Sequence, residues 1–111
     1  MYRIEKFLLN HNFKKVREYD SGVIVYSNAE EELEYNTEVA VYTKHHPLVY
    51  EIHISNPYSV YLESNKDYDD KFWEDKMDTH KLLVEDQVEY AKIIYEWLKK
   101  KVKDPWEQVE E

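Results

Sequence analysis

Histidines and carboxylates carry the metal and acid–base chemistry that this sequence could support, because the chain contains no cysteine. His45 and His46 are adjacent, and Glu51 and His53 follow two residues apart, so imidazoles and a carboxylate could meet at one metal ion. The spacing does not match a metal-binding helix, and the histidine pair precedes a proline in an expected turn. Solvent-exposed histidines are therefore favoured over metal ligands, and neither a metal nor another cofactor is expected.

The sequence does not favour catalysis by a carboxylate pair or by a nucleophile. General acid–base catalysis needs a carboxylate whose pKa is raised by a dry environment, whereas these acids occur in polar runs such as Glu30–Glu32. Gly22 is the only glycine, so neither a glycine-rich phosphate loop nor a GxSxG nucleophile turn can form. We expect a protein that is not an enzyme.

Acidic and aromatic residues form the remaining cluster of potential binding groups. Seven carboxylates lie between Glu63 and Asp78, with Tyr68 and two further aromatic residues among them. Such a row can bind the Arg and Lys side chains that other proteins offer to phosphates, and aromatic rings can hold the contact. The residues expected to contact a partner are Glu63, Asp67, Asp69, Asp70, Phe72, Trp73, Glu74, Asp75, Glu30, Glu31, Glu32, Tyr42 and Tyr61.

Two other interpretations of these residues remain open. The acids could simply form a solvated surface, with Phe72 and Trp73 buried in the core below them. Alternatively, Tyr26, Tyr42 and Tyr61 could lie on one face of a sheet and stack nucleic-acid bases.

The charge of the chain bears on its partners. Fifteen basic and 24 acidic residues give a net charge of −9, which repels nucleic acid and anionic membranes and attracts basic proteins. Ordinary solubility is the favoured reason for this charge. No apolar run approaches the ~20 residues needed to span a bilayer, and the first residues do not resemble a signal peptide. We expect a cytoplasmic protein.

Helical spacing predicts the element that positions the rest of the chain. Between Thr79 and Lys103, apolar residues from Val84 to Val102 recur at steps of four and three, which places them on one side of a long helix. A shorter helix is predicted over residues 2–10 and another over about 70–78, with a bend near Asp78-Thr79.

Alternation of apolar and polar residues predicts strands in the middle of the chain. Their connections are too short for crossover helices, so the strands should pair as antiparallel neighbours. The predicted strands are Phe13–Tyr19, Val23–Ser27, Asn36–Lys44, Leu48–Ser55 and Tyr58–Glu63.

These elements predict one α+β domain over residues 1–111. It would comprise a short N-terminal helix, an antiparallel meander of about four to five strands, and a long C-terminal helix packed on one face of the sheet. Residues 104–111 are expected to form a frayed tail unless Trp106 folds back. The expected core is Phe7, Val16, Val23, Val25, Val39, Val41, Ile52, Ile54, Val60, Leu62, Val84, Val88, Ala91, Tyr95 and Leu98.

Two resemblances bear on function. The opening IEKFLLNHNFKKVREYDSGVIVYSN resembles the helix and hairpin that begin HicA-like toxins, which share a double-stranded-RNA-binding fold. Val23-Ile24 follows Gly22 where those toxins carry a histidine, so toxin activity is not implied. Small size, acidity and tyrosine content resemble phage-encoded inhibitors of host defence, including anti-CRISPR and DNA-mimic proteins. That resemblance implies location in the host cytoplasm.

We therefore expect a non-enzymatic acidic protein that blocks a basic, nucleic-acid-binding site on a protein partner, as a phage inhibitor of a host defence nuclease complex would. No direct contact with nucleic acid or membrane is expected. The alternatives are a structural or chaperone-like module that forms a homodimer, and an RNA-binding or toxin-like module.

Overall fold

A computed structural model of the chain describes residues 1–28, 36–44, 47–55, 59–79 and 85–109. Within these ranges, a helix precedes five strands and two helices follow them, which confirms the α+β class. The elements are α1 (Arg3–Asn10), β1 (Phe13–Glu18), β2 (Val23–Asn28), β3 (Asn36–Tyr42), β4 (Tyr50–Ser55), β5 (Val60–Glu63), α2 (Asp70–Thr79) and α3 (Glu85–Lys101).

The strands form one antiparallel sheet in the order β1-β2-β3-β4-β5, as the short connections predict. Alternation gives the sheet two different faces. Along β3 and β4 every second side chain is buried, while the residues between them are half-buried or exposed. We call the buried side the inner face and the opposite side the outer face.

All three helices contribute to the core on the inner face. Ile4 and Leu8 of α1 are fully buried, and Trp73 of α2 is 4% exposed. The long helix α3 supplies the largest share, since its apolar stripe at steps of three and four faces the sheet. Its buried residues in this core are Val88, Ala91, Tyr95 and Leu98, followed by Val102 just beyond the helix.

The expected core is correct for most positions and wrong for Val16, which is 46% exposed. In β1 only Phe13 is buried, because β1 is an edge strand and a bulge between Lys15 and Arg17 leaves Val16 without a partner on β2. Phe7 and Val23 are half-buried, and Val84 lies outside the described residues.

Tyr26 does not lie on an exposed face with Tyr42 and Tyr61. Its ring is 3% exposed and it pairs with Val39 on the inner face. The Tyr26 hydroxyl donates to a carboxylate oxygen of the buried Glu5 at 2.9 Å, and the other oxygen of Glu5 accepts the Tyr2 backbone N–H at 2.7 Å. The three-tyrosine surface for stacking bases is therefore wrong.

The C-terminal residues 104–109 are not a frayed tail. The Arg3 N–H donates to the Glu107 carbonyl at 2.7 Å, and the Val109 N–H donates to the Met1 carbonyl at 2.8 Å. Arg3 also forms an ion pair with Glu107, and the rings of Tyr2 and Trp106 lie 6.1 Å apart. Backbone pairing between the two ends has no periodic sequence signature, and it overrides the expectation of fraying.

The region after β5 contains a short and a long helix, as expected. The first ends at Thr79 and the second begins at Glu85. The expected bend at Asp78-Thr79 adjoins residues 80–84, which lie outside the described ranges. No helix within the described ranges is long and apolar enough to cross a membrane.

Candidate protein-binding surface

The acidic segment, defined as residues 63–75, leads from the end of β5 into α2. It contains six carboxylates and two lysines. Asp69 caps the helix, because its Oδ1 accepts the backbone N–H of Phe72 at 2.9 Å. Asp70 lies in the first turn, where the helix dipole favours a negative charge. The exposed carboxylates of the segment are Asp67, Asp69, Asp70, Glu74 and Asp75.

An aromatic cluster below the acidic segment holds it on the domain. The Tyr68 ring lies 4.3 Å from Phe72, 5.9 Å from Trp73 and 5.1 Å from Tyr95, measured between ring centroids. Tilted and edge-on contacts of this kind add to the free energy of burying the rings. The expectation that Trp73 contacts a partner is wrong, since its ring is buried. Phe72 is half-buried, and its ring packs against Tyr68 and Trp73.

Hydrogen bonds fix the connection between β5 and α2. The Glu63 backbone N–H donates to the Tyr68 hydroxyl at 2.9 Å. From α3, the Tyr95 hydroxyl donates to the Lys66 carbonyl, and Lys99 Nζ donates to the Ser64 carbonyl at 2.8 Å. Burial, with a smaller contribution from Asp67, raises the Tyr95 pKa to about 12. The acidic segment is therefore held in place before any partner binds.

Two carboxylates of the acidic segment lie near lysine side chains. Lys66 Nζ lies 2.6 Å from Glu63, and Lys99 Nζ lies 3.9 Å from Asp67, but both contacts are at the solvent boundary and contribute little to stability. Asp70 and Glu74 are one helical turn apart, where like charges repel. A cation from a partner would relieve that repulsion.

Removal of the Asp69 cap should measurably weaken α2. The substitution Asp69→Ala is expected to lower the free energy of unfolding by about 1 kcal/mol, because the Phe72 N–H loses its acceptor. Urea denaturation of the variant beside Asp69→Asn, which keeps a capping oxygen, checks this. Equal loss in both variants would contradict the cap.

Tyr42 and Tyr61 belong to a different surface from α2. Both alternate with buried strand neighbours, so they project from the outer face, whereas α2 packs on the inner side through Trp73. Tyr61 is 56% exposed and stacks parallel to His53 at 4.2 Å. Burial raises the pKa of Tyr42, and the carboxylates of Glu51 and Glu63 raise it further.

The expected partner-binding residues therefore separate into two surfaces. The helix side carries the acids from Asp67 to Asp75, while the outer face carries Tyr42, Tyr61 and Glu63. Glu30, Glu31 and Glu32 lie outside the described residues. Sequence analysis did not single out Glu38, Glu51 or Arg17 for this outer face; the alternation of β3 and β4 could have identified the two acids.

The described ranges contain no cluster of three or more His, Asp or Glu side chains placed to hold a metal ion. His45 and His46 are outside those ranges. Comparisons of the chain with protein-family models, with curated proteins and with solved structures find no match.

Proposed function

We propose that this chain is a non-enzymatic binding protein whose acidic segment occupies a basic surface on a protein partner. The observation that carries the proposal is the row of exposed carboxylates from Asp67 to Asp75 fixed on the cluster of Tyr68, Phe72, Trp73 and Tyr95. An ordered row loses less conformational entropy on binding than a mobile acidic loop would.

The partner's binding site would be rich in Arg and Lys. Carboxylates accept charge-assisted hydrogen bonds from both, and Arg can engage one carboxylate through two parallel bonds. The net charge of −9 accelerates the encounter with such a surface. It also disfavours direct contact with nucleic acid, because phosphates need cations.

A surface rich in Arg and Lys is what a nucleic-acid-handling protein uses to hold phosphates. The chain would then compete with nucleic acid for the partner, as the phage-encoded inhibitors that it resembles in composition do. A defence nuclease complex of the host is the partner class that we propose.

The direct test is charge reversal on α2 that leaves the fold intact. Asp70→Lys with Glu74→Lys is expected to weaken partner binding by at least about tenfold for each desolvated charge pair lost. Asp69 is left unchanged because it caps the helix. Capture of the partner from the source or host cell, followed by titration of purified partner with both proteins, gives the affinities.

The matched control reverses two exposed acids elsewhere, Asp20→Lys with Glu89→Lys, so that the net charge changes equally. The control should keep most of the affinity, and both double variants should keep the far-ultraviolet circular dichroism spectrum. Nucleic acid should displace the native chain from its partner. Equal binding by the native chain and the α2 variant would refute the site.

A further inference from the structure

The outer face carries two parallel rows of side chains that the strand register defines. The first row runs Lys14, Ser27, Glu38, His53 and Tyr61 from β1 to β5. The second row runs Arg17, Val25, Ala40, Glu51 and Glu63. In the part of the chain that the structure describes, the helices pack on the opposite side of the sheet.

Charge changes sign across this face. The cations Lys14 and Arg17 lie on β1, at one edge, while the carboxylates Glu51 and Glu63 lie on β4 and β5, at the other. Glu51 and Glu63 are directly opposite each other, a pairing of like charges that destabilises a sheet. Between the two charged edges, β3 presents Glu38, Ala40 and Tyr42, and β2 presents Val25, which is only 6% exposed.

We propose that the outer face binds the outer face of a second copy of this chain, with the two-fold axis parallel to the central strand β3. Rotation about that axis exchanges the two edges of the sheet, so β1 of each copy lies over β5 of the other. An axis perpendicular to the strands would instead place cations over cations. Charge complementarity selects the first arrangement, which is an isologous dimer.

The same rotation places each row of one copy over the same row of the second copy. Arg17 then lies over Glu63 of the second copy, and Lys14 lies over the exposed ring of Tyr61, where a cation–π contact can form. Ala40 lies on the axis between Glu38 and Tyr42 of the same strand, and these side chains would fill the ~10 Å between the two sheets.

Glu38 also lies on the axis, so it faces Glu38 of the second copy. Its charge is balanced within the chain by Arg17, whose Nη2 lies 2.9 Å from Glu38 Oε2. That contact raises the pKa of Arg17, and a guanidinium is in any case charged in proteins. Arg17 therefore bridges Glu38 of its own chain and Glu63 of the other.

The contact is small, and the dimer is accordingly weak. Five strands about 4.8 Å apart and about 20 Å long give a footprint of roughly 500 Å² per copy, against ~800 Å² in a stable complex. Two chains of net charge −9 also repel each other, so the dimer is best sought at about 0.15 M salt, where charges more than roughly 8 Å apart are largely screened.

Sedimentation equilibrium from about 10 μM to about 1 mM protein, at about 0.15 M salt, tests the dimer. The native chain should associate reversibly. Arg17→Glu and Glu63→Arg should each weaken association by at least about tenfold, because each creates two repulsive pairs per dimer. The double variant, Arg17→Glu with Glu63→Arg, should recover part of the association, since opposite charges are restored between the copies while Glu38 has lost its counter-ion.

Recovery in the double variant separates the proposed contact from a folding defect. Circular dichroism and thermal midpoints confirm that each variant is folded, and the Asp70→Lys with Glu74→Lys variant should dimerise as the native chain does. A native chain that stays monomeric at about 1 mM protein and about 0.15 M salt would overturn the proposal. A dimer unaffected by either single reversal would overturn it equally. Neither result would affect the proposed role of α2.

Discussion

Replacement of Trp73 by alanine should lower the free energy of unfolding by about 3–5 kcal/mol, the range for deleting a buried aromatic side chain. Trp73 is 4% exposed and is a member of the core cluster on the inner face. Its ring also contacts Tyr68, Phe72 and Tyr95, so the substitution leaves a cavity beside three other rings. Domains of this size have only about 5–15 kcal/mol in total.

The same substitution should loosen the acidic segment, because Trp73 links α2 to the sheet. Urea denaturation gives the change in stability, and hydrogen exchange of residues 64–75 reports the loss of order. Trp106→Ala is the matched control, since its ring is 41% exposed. Trp73→Phe should recover much of the loss. A Trp73→Ala chain as stable as the control would show that the ring does not pack as described.

Alkaline unfolding is the second large effect that we expect. Burial raises the pKa of Tyr50 and Tyr95 to about 12, and burial together with the hydrogen bond to Glu5 raises that of Tyr26. The native state therefore holds these protons after the unfolded chain has released them near the ordinary value of 10. Stability should be intact below pH 10 and should fall as the pH rises from 10 to about 12.

Tyr50 isolates one contribution to this loss. A rise of about two pKa units corresponds to about 2–3 kcal/mol once the unfolded phenol is fully ionised. Tyr50→Phe should flatten the decline in unfolding free energy above pH 10, whereas Tyr19→Phe, at a site 50% exposed, should not. Urea midpoints across this range, read with the ultraviolet absorbance of ionised tyrosine, provide the measurement. A decline identical in Tyr50→Phe and the native chain would contradict the assignment.

The fold was accessible from sequence where one physical signal dominates. Strict alternation in β3 and β4 identifies both the strands and their buried faces, as Val39 and Ile52 illustrate. Tyr26 was misplaced because β2 carries β-branched residues on both faces, so alternation alone does not show which side faces the helices. Val16 was misplaced because a bulge in an edge strand carries no periodic signature.

The candidate site was accessible only in part. The run of carboxylates was evident, but charge and aromatic content could not distinguish rings that contact a partner from rings that hold the segment on the core. Trp73 belongs to the second group. The two rows of the outer face depend on strand register, which aligns residues far apart in sequence, such as Arg17 and Glu63, in one row across the sheet.

The pairing of the chain ends has a consequence for the order of folding. Each strand of the meander pairs with the strand just before it, so the sheet can assemble progressively as a nascent chain emerges. The Val109 N–H to Met1 carbonyl bond joins residues 108 apart, so its loop-closure cost is high and we expect it to form after the sheet and α3. The first turn of α1 would therefore acquire its final backbone partners last, and the exchange of the Arg3 and Val109 amides with solvent would report this last folding step.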